Sequence, residues 1–574
     1  MTKQAPSSLY TADSLYDPED VHPRPLQWRH HVFVALASLF FLLWLIPFYE
    51  DLPGSSASLD SPNEKTRVLG MASIGLYGEL HINKIRSRWW CRVTDLAGRK
   101  KGPQDGPNAP AVFTYPGKSP GMALMLGPVY GLYKKTISRG PPSLFEATYF
   151  ARLFGTILPT WFASLFFYAF LLAICRSRYV IVVGYFTYMF GSMMYPYAIT
   201  VSSHSFSNSM LWLVFLLLIA PPRGIFKRIS LSFLVGICLG LAIAVEYSAV
   251  FTGVFLAIVG LWIRPPLPEK YIQKPLPTGW RSFFFFWGVR WHLWVIFLGS
   301  TIPVGAVMWY HKVAFGSYFT TPYSHLLYAP FRAANAQGVM GFRSPTWSHL
   351  LHAYILPSYG LLFWTPFLLL VVPAIVMLLR RRGMRFWGLW LFGLISWWSF
   401  YNTTMHNPRG GWTVGPRYIA NLLPFCFLAA IWAADQLYRR HGNRLTLFLS
   451  FTAIWSIIFY ALAAVLFPHL PESSNFPFND ILIPMLKRGL APSNLFHLPP
   501  GWAMSIYFVA LSLLCAYIAF AGFIGRYKRR AITLLLTSLA LAYLMLFQLY
   551  SPDYNLQEAR YKNIERLIPE QYRW

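Results

Sequence analysis

Long apolar runs alternate with polar connections along the whole chain, and that alternation limits the fold more than any other feature. Runs long enough to cross about 30 Å of hydrocarbon occur at 31–49, 146–174, 179–197, 206–221, 229–246, 248–263, 292–310, 352–379, 386–402, 418–437, 445–467, 501–524 and 531–550. In lipid every backbone N–H and C=O needs an internal partner, which leaves helices for runs of this kind. The expectation is an all-α polytopic membrane protein with about thirteen transmembrane helices. Its tightest turn falls around Glu246 and Tyr247, where two short runs share 229–263.

The chain is 55% hydrophobic and only 12% charged, which excludes a soluble nucleic-acid binder in spite of a formal charge of +28. Positive charge on such chains collects in cytoplasmic connections. Alternate connections carry Arg176 and Arg178; Arg223, Lys227 and Arg228; Arg264, Lys270, Lys274, Arg281 and Arg290; Arg380, Arg381, Arg382 and Arg385; Arg439, Arg440 and Arg444; and Arg526, Lys528, Arg529 and Arg530. That places the N-terminus in the cytoplasm and the opposite connections outside. The five cysteines are scattered and show neither a disulfide framework nor metal-ligand spacing.

One external connection is far longer than the rest. Residues 50–145 are hydrophilic, rich in Pro and Gly, and carry thirteen Lys and Arg residues, among them Lys65, Arg67, Lys84, Arg99, Lys118 and Lys134. Structureless loops beyond about 15 residues are uncommon unless functional, so this loop is the expected reaction site and the helices its scaffold. Within it, 65–80 and 121–135 read as interfacial helices that hold the loop against the bilayer. The expected layout is a disordered cytoplasmic tail over 1–30, with an uncleaved anchor after it, a transmembrane catalytic domain over 31–551, and an external tail over 552–574.

Several stretches carry a resemblance. SPNEKTRVLGMASIGLYGELHI (61–82), YPGKSPGMALMLGPVYGLY (115–133) and ARLFGTI (151–157) resemble the acidic-pair helix, the "K-x-P-G" stretch and the "R-L" entry into the second span of the GT-C superfamily of integral-membrane glycosyltransferases. GLAIAVEYSAV (240–250), PSYGLLFWTPFLLL (357–370) and GGWTVGPRYIANLLPF (410–425) resemble further segments of its bacterial branch, related to protein O-mannosyltransferases and aminoarabinose transferases. Where many relatives have Asp-Glu, this chain has Asn63-Glu64.

The resemblance implies sugar transfer, usually with inversion, from a polyprenyl-phosphate donor to a lipid, glycan or protein acceptor at the external face of a bacterial inner membrane. That chemistry needs fixed cations for the departing phosphate and a base for the acceptor hydroxyl. For the base the candidates are Asp95, in the basic stretch DLAGRKK, Glu64, at the acidic-pair position, and Asp51 and Glu50, just after the first run. For phosphate they are Lys118, on a turn between Gly117 and Pro120; Arg152, a charge inside an apolar run; and Arg417 and Arg409, beside the Gly410–Gly411 pair. Glu246 and His204 are candidates for lining the acceptor cavity. Some relatives use a divalent cation and others do not; the acids here are dispersed, and no metal or other cofactor is expected.

Two other readings fit the same runs. A lipid or solute transporter would use buried charges for passage, although the polar mass here lies on one face near the N-terminus rather than in matching halves. A ligase or polymerase would take a diphosphate-linked glycan as donor.

Overall fold

The computed structural model describes residues 28–46, 62–89, 93–103, 105, 107, 109–219, 225–262, 291–336, 343–472, 474–487, 492–496 and 498–521. Asp51, Glu50, the run 531–550, the tail 552–574 and most of the 1–30 tail lie outside the described residues. The longer helices, labelled in chain order, are α1 (Trp28–Leu43), α2 (Pro62–Tyr77), α3 (Gly121–Thr136), α4 (Leu144–Ile174), α5 (Arg178–Phe190), α6 (Ser203–Ile219), α7 (Ile225–Val245) and α8 (Ala249–Trp262). They continue with α9 (Trp291–Phe315), α10 (Val371–Arg380), α11 (Arg385–Thr404), α12 (Leu423–His441), α13 (Asn443–Leu466) and α14 (Pro500–Ala521).

Six helical stretches among the described residues are long and apolar enough to cross a membrane: Leu144–Ile174, Phe226–Val245, His292–Phe315, Arg417–His441, Arg444–Leu466 and Gly501–Ala519. Four shorter apolar helices accompany them, Trp28–Leu43, Ser203–Ile219, Ala249–Trp262 and Pro366–Arg380. The expected thirteen spans are therefore not all found as single long helices. α5 has 13 residues, about 20 Å at 1.5 Å per residue, and Gly191 ends it before a short helical turn at Met194–Ala198. The run 352–379 is broken at Pro357 and Pro366 into the short pieces Ser348–Tyr354, Leu361–Trp364 and Pro366–Leu370 before α10, because proline cannot donate to the helix ladder.

The helices divide into a centre and a periphery. The apolar windows of Arg417–His441 and Arg444–Leu466 are 83% buried, whereas that of His292–Phe315 is 28% buried. α9 turns Trp294, Phe297, Leu298, Ile302 and Trp309 outward, as a helix does whose outer face meets hydrocarbon rather than water.

The long first loop is folded. α2 and α3 cover the expected interfacial segments and pack on each other around Val68, Met71, Met122, Leu126 and Tyr130. Between them runs an antiparallel hairpin that the all-α expectation missed, β1 (Leu96–Lys100) and β2 (Val112–Pro116), paired from Leu96↔Pro116 to Lys100↔Val112. A second, two-residue pairing joins Leu45–Ile46 to Ser493–Asn494.

Candidate active site

The hairpin register brings two of the expected site residues together. Leu96 pairs with Pro116, so the residues one step beyond, Asp95 and Gly117, also meet: Gly117 N donates to Asp95 O at 3.0 Å. A Cβ on Gly117 would come within 2.6 Å of Asp95 Oδ1; only glycine lets the strands approach this closely. The next residue, Lys118, then places Nζ 3.3 Å from Asp95 Oδ2, with Asp95 buried. The far side of the turn is fastened to the end of α7, because Ser119 Oγ donates to Ala244 O and Gly121 leaves room for no side chain against that same carbonyl.

Two residues past Ala244, helix α7 stops and Glu246 occupies the turn before α8. Its Oε2 accepts from Ser203 Oγ at 2.7 Å and its Oε1 from Ser248 Oγ at 2.9 Å. His204 Nε2 lies 3.8 Å from Oε2. Burial pushes the Glu246 carboxyl up, but His204, Ser203, Arg67 and Arg417 together outweigh it and bring the group down to about 2. Ser203 links this acid to the loop, since Arg67 Nη2 donates to Ser203 Oγ at 2.9 Å.

Glu64 sits on the first turn of α2, with 1% of its side chain exposed. Its Oε1 accepts from Arg152 Nε at 2.6 Å and from Val201 N at 2.8 Å, while His469 Nε2 is 3.3 Å from Oε2. Burial would raise this carboxyl; the charge of Arg152 and the approach of His469 prevail and hold it well below the usual range. Arg152 lies where α4 widens into a π-type turn over Leu153–Ile157. It is 1% exposed and its guanidinium faces Glu64. The two residues that the sequence assigned to separate jobs thus form one buried ion pair.

The fourth contribution comes from the glycine-rich loop ahead of α12. Gly410 and Gly411 have φ of +87° and +106°, conformations that side-chain-bearing residues avoid. The turn they make lets Arg417 N donate to Arg409 O at 3.2 Å. Arg409 itself points inward, donating from Nε to Thr413 O at 3.1 Å and from Nη1 to Pro471 O at 2.8 Å. The Nε of Arg417 has no hydrogen-bond partner among the described residues.

These pieces surround one hollow. Five of the expected site residues line it, Glu64, Lys118, Glu246, His204 and Arg417. Asp95 reaches it through Lys118, Arg152 backs its wall through Glu64, and Arg409 braces the loop behind it; none of these three is on the lining. Arg67 and His469 line the hollow too, and sequence reasoning assigned neither to the site. Arg67 sits four residues after Asn63, whose carbonyl it contacts at 3.1 Å, so a basic residue facing apolar LGMASIG was the available signal.

With Arg67, Lys118 and Arg417 on the lining, positive groups outnumber the acids left after Glu64 is spent on Arg152. Such a cleft attracts an anion and holds it with fixed donors.

No protein-family model and no curated protein sequence matches this chain. Among solved structures it is similar to ArnT from Cupriavidus metallidurans in the apo state, at 12% identity over 90% of this chain and 75% of that one, with a TM-score of 0.44. It is similar to the same protein bound to undecaprenyl phosphate at 13% identity, over 90% and 76%, with the same score. At that score the likeness carries no residue-by-residue correspondence, and the roles assigned to this chain rest on its own side chains.

Proposed function

We propose that this chain is a glycosyltransferase that moves a sugar from a polyprenyl-phosphate donor to a hydroxyl acceptor at the external face of a membrane. The observation that carries the reading is the hollow in which Lys118, Arg67 and Arg417 converge beside buried acids. It lies among the ends of apolar helices, with Ser203, Glu246, Arg417 and His469 at or beside those ends. The three cations hold the phosphate in the ground state and stabilise its growing charge as the anomeric C–O bond breaks. Asp95 holds the Lys118 ammonium in place at 3.3 Å. Arg409 and the Arg152–Glu64 pair act as braces for the wall rather than as direct ligands. A base in the same hollow takes the acceptor's proton.

The test is made on the purified full chain in lipid nanodiscs, offered undecaprenyl phosphate bearing glucose, mannose or 4-amino-4-deoxyarabinose. Release of undecaprenyl phosphate with transfer or hydrolysis of the sugar is the expected result. Lys118→Ala and Arg417→Ala each lower it by about 100-fold or more, the usual loss of one transition-state donor. Movement of the intact lipid-linked sugar across the bilayer with no bond cleavage would overturn the reading in favour of a transporter.

A further inference from the structure

We infer that His469 is the base that receives the acceptor's proton and that Glu64 is its positioning partner. This inference rests on the glycosyl-transfer reading. Each carboxylate at the hollow is already engaged: Asp95 with Lys118, Glu246 with Ser203 and Ser248, and Glu64 with Arg152 and Val201 N. The low proton affinity of Glu246 suits it to binding and not to proton abstraction at neutral pH.

His469 is placed differently. It lies on the lining of the hollow, in the connection after α13, with Nε2 3.3 Å from Glu64 Oε2. A carboxylate beside one ring nitrogen favours the proton on that nitrogen and leaves a lone pair on the other. Nε2 meets Glu64 as a close ion-pair contact and not as an aligned hydrogen bond, and Nδ1 is the nitrogen that Glu64 does not face. Glu64 cannot turn away from the ring, because its other oxygen is held at 2.6 and 2.8 Å by Arg152 Nε and Val201 N. The buried Arg152 thereby acquires a reason: it keeps Glu64 ionised and in place beside the ring.

The step balances. The acceptor oxygen bonds to the anomeric carbon as the bond from that carbon to the phosphate oxygen breaks. The bonding pair leaves with the polyprenyl phosphate, which Lys118, Arg67 and Arg417 hold. The acceptor's proton passes to Nδ1 of His469 and then to water.

The experiment uses His469→Gln in the full chain in nanodiscs, with undecaprenyl phosphate binding followed by tryptophan fluorescence as the check on folding. The expected result is binding within about twofold of wild type and sugar release to water or alcohols lowered about 100-fold or more. Sodium azide, a nucleophile with no proton to lose, then restores turnover and yields a glycosyl azide. Glu64→Gln lowers kcat with KM unchanged. Retention of turnover within a few-fold in His469→Gln, or no azide product despite intact lipid binding, overturns the assignment. A wild-type chain that neither binds undecaprenyl phosphate nor cleaves any of the three donors overturns the glycosyl-transfer reading itself, and this inference with it.

Discussion

The two walls of the hollow are built on opposite principles. On one side Lys118, Arg67 and Arg417 present more positive charge than their neighbours neutralise, and Arg417 leaves Nε without a hydrogen-bond partner among the described residues. On the other, Glu64 and Arg152 cancel each other at 2.6 Å, both 1% exposed. The first wall has positive charge to spare for an anion, whereas the charges of the second are spent on each other. A wall of the first kind binds ligand at some cost in stability; one of the second kind holds shape.

Substitutions can pull the two walls apart. The largest effect is expected from Lys118→Ala combined with Arg417→Ala. The double variant loses detectable donor cleavage and binds undecaprenyl phosphate at least about 100-fold more weakly, while thermal unfolding in nanodiscs records only the cost of leaving buried Asp95 without Lys118. Arg152→Leu should act first on stability, and lower turnover with it through Glu64 and His469. It strands Glu64 and lowers stability by about 3–5 kcal/mol, and pairing it with Glu64→Gln recovers much of that loss, a coupling that a double-mutant cycle measures.

Gly117→Ala lies between the two. The added methyl meets Asp95, so the strands separate and Lys118 shifts, weakening lipid-phosphate binding by about 10-fold with a stability cost of about 1–3 kcal/mol. The smallest expected effect is that of pH on Glu246. Its folded value of about 2 lies below the ordinary glutamate value of 4.5, so the stability it contributes is fully present above the unfolded value and is lost as pH falls through about 2. Melting temperatures between pH 8 and pH 6 should show no change that Glu246→Gln abolishes.

What the sequence revealed follows from how local each signal is. Lys118 stood out because Gly117 and Pro120 define a turn around one cation, and Glu246 because an acid interrupts an apolar stretch. Both line the hollow. The spans were less legible: hydropathy counted 179–197 and 352–379 as crossings, but it ignores helix termination at Gly191 and the prolines of the second run. The hairpin escaped notice because its strands, LAGRK and VFTYP, are five residues each and lack clear alternation. His469 could not be chosen from PHLPE, since its partner is some 400 positions away in the chain and only the packing of α13 against the rest brings them together. The pairing of Glu64 with Arg152 was hidden for the same reason: each reads as a lone charge with a job of its own.

The seam between Ser119 and Ala244 has a mechanical consequence. It ties the lysine-bearing turn to the tip of a membrane helix that also carries Glu246 two residues further on. A helix long enough to span tilts to match the thickness of the bilayer around it. Any lean of α7 is therefore transmitted to the lysine and the acid together, and changes their distance from Arg417, which is mounted on another helix.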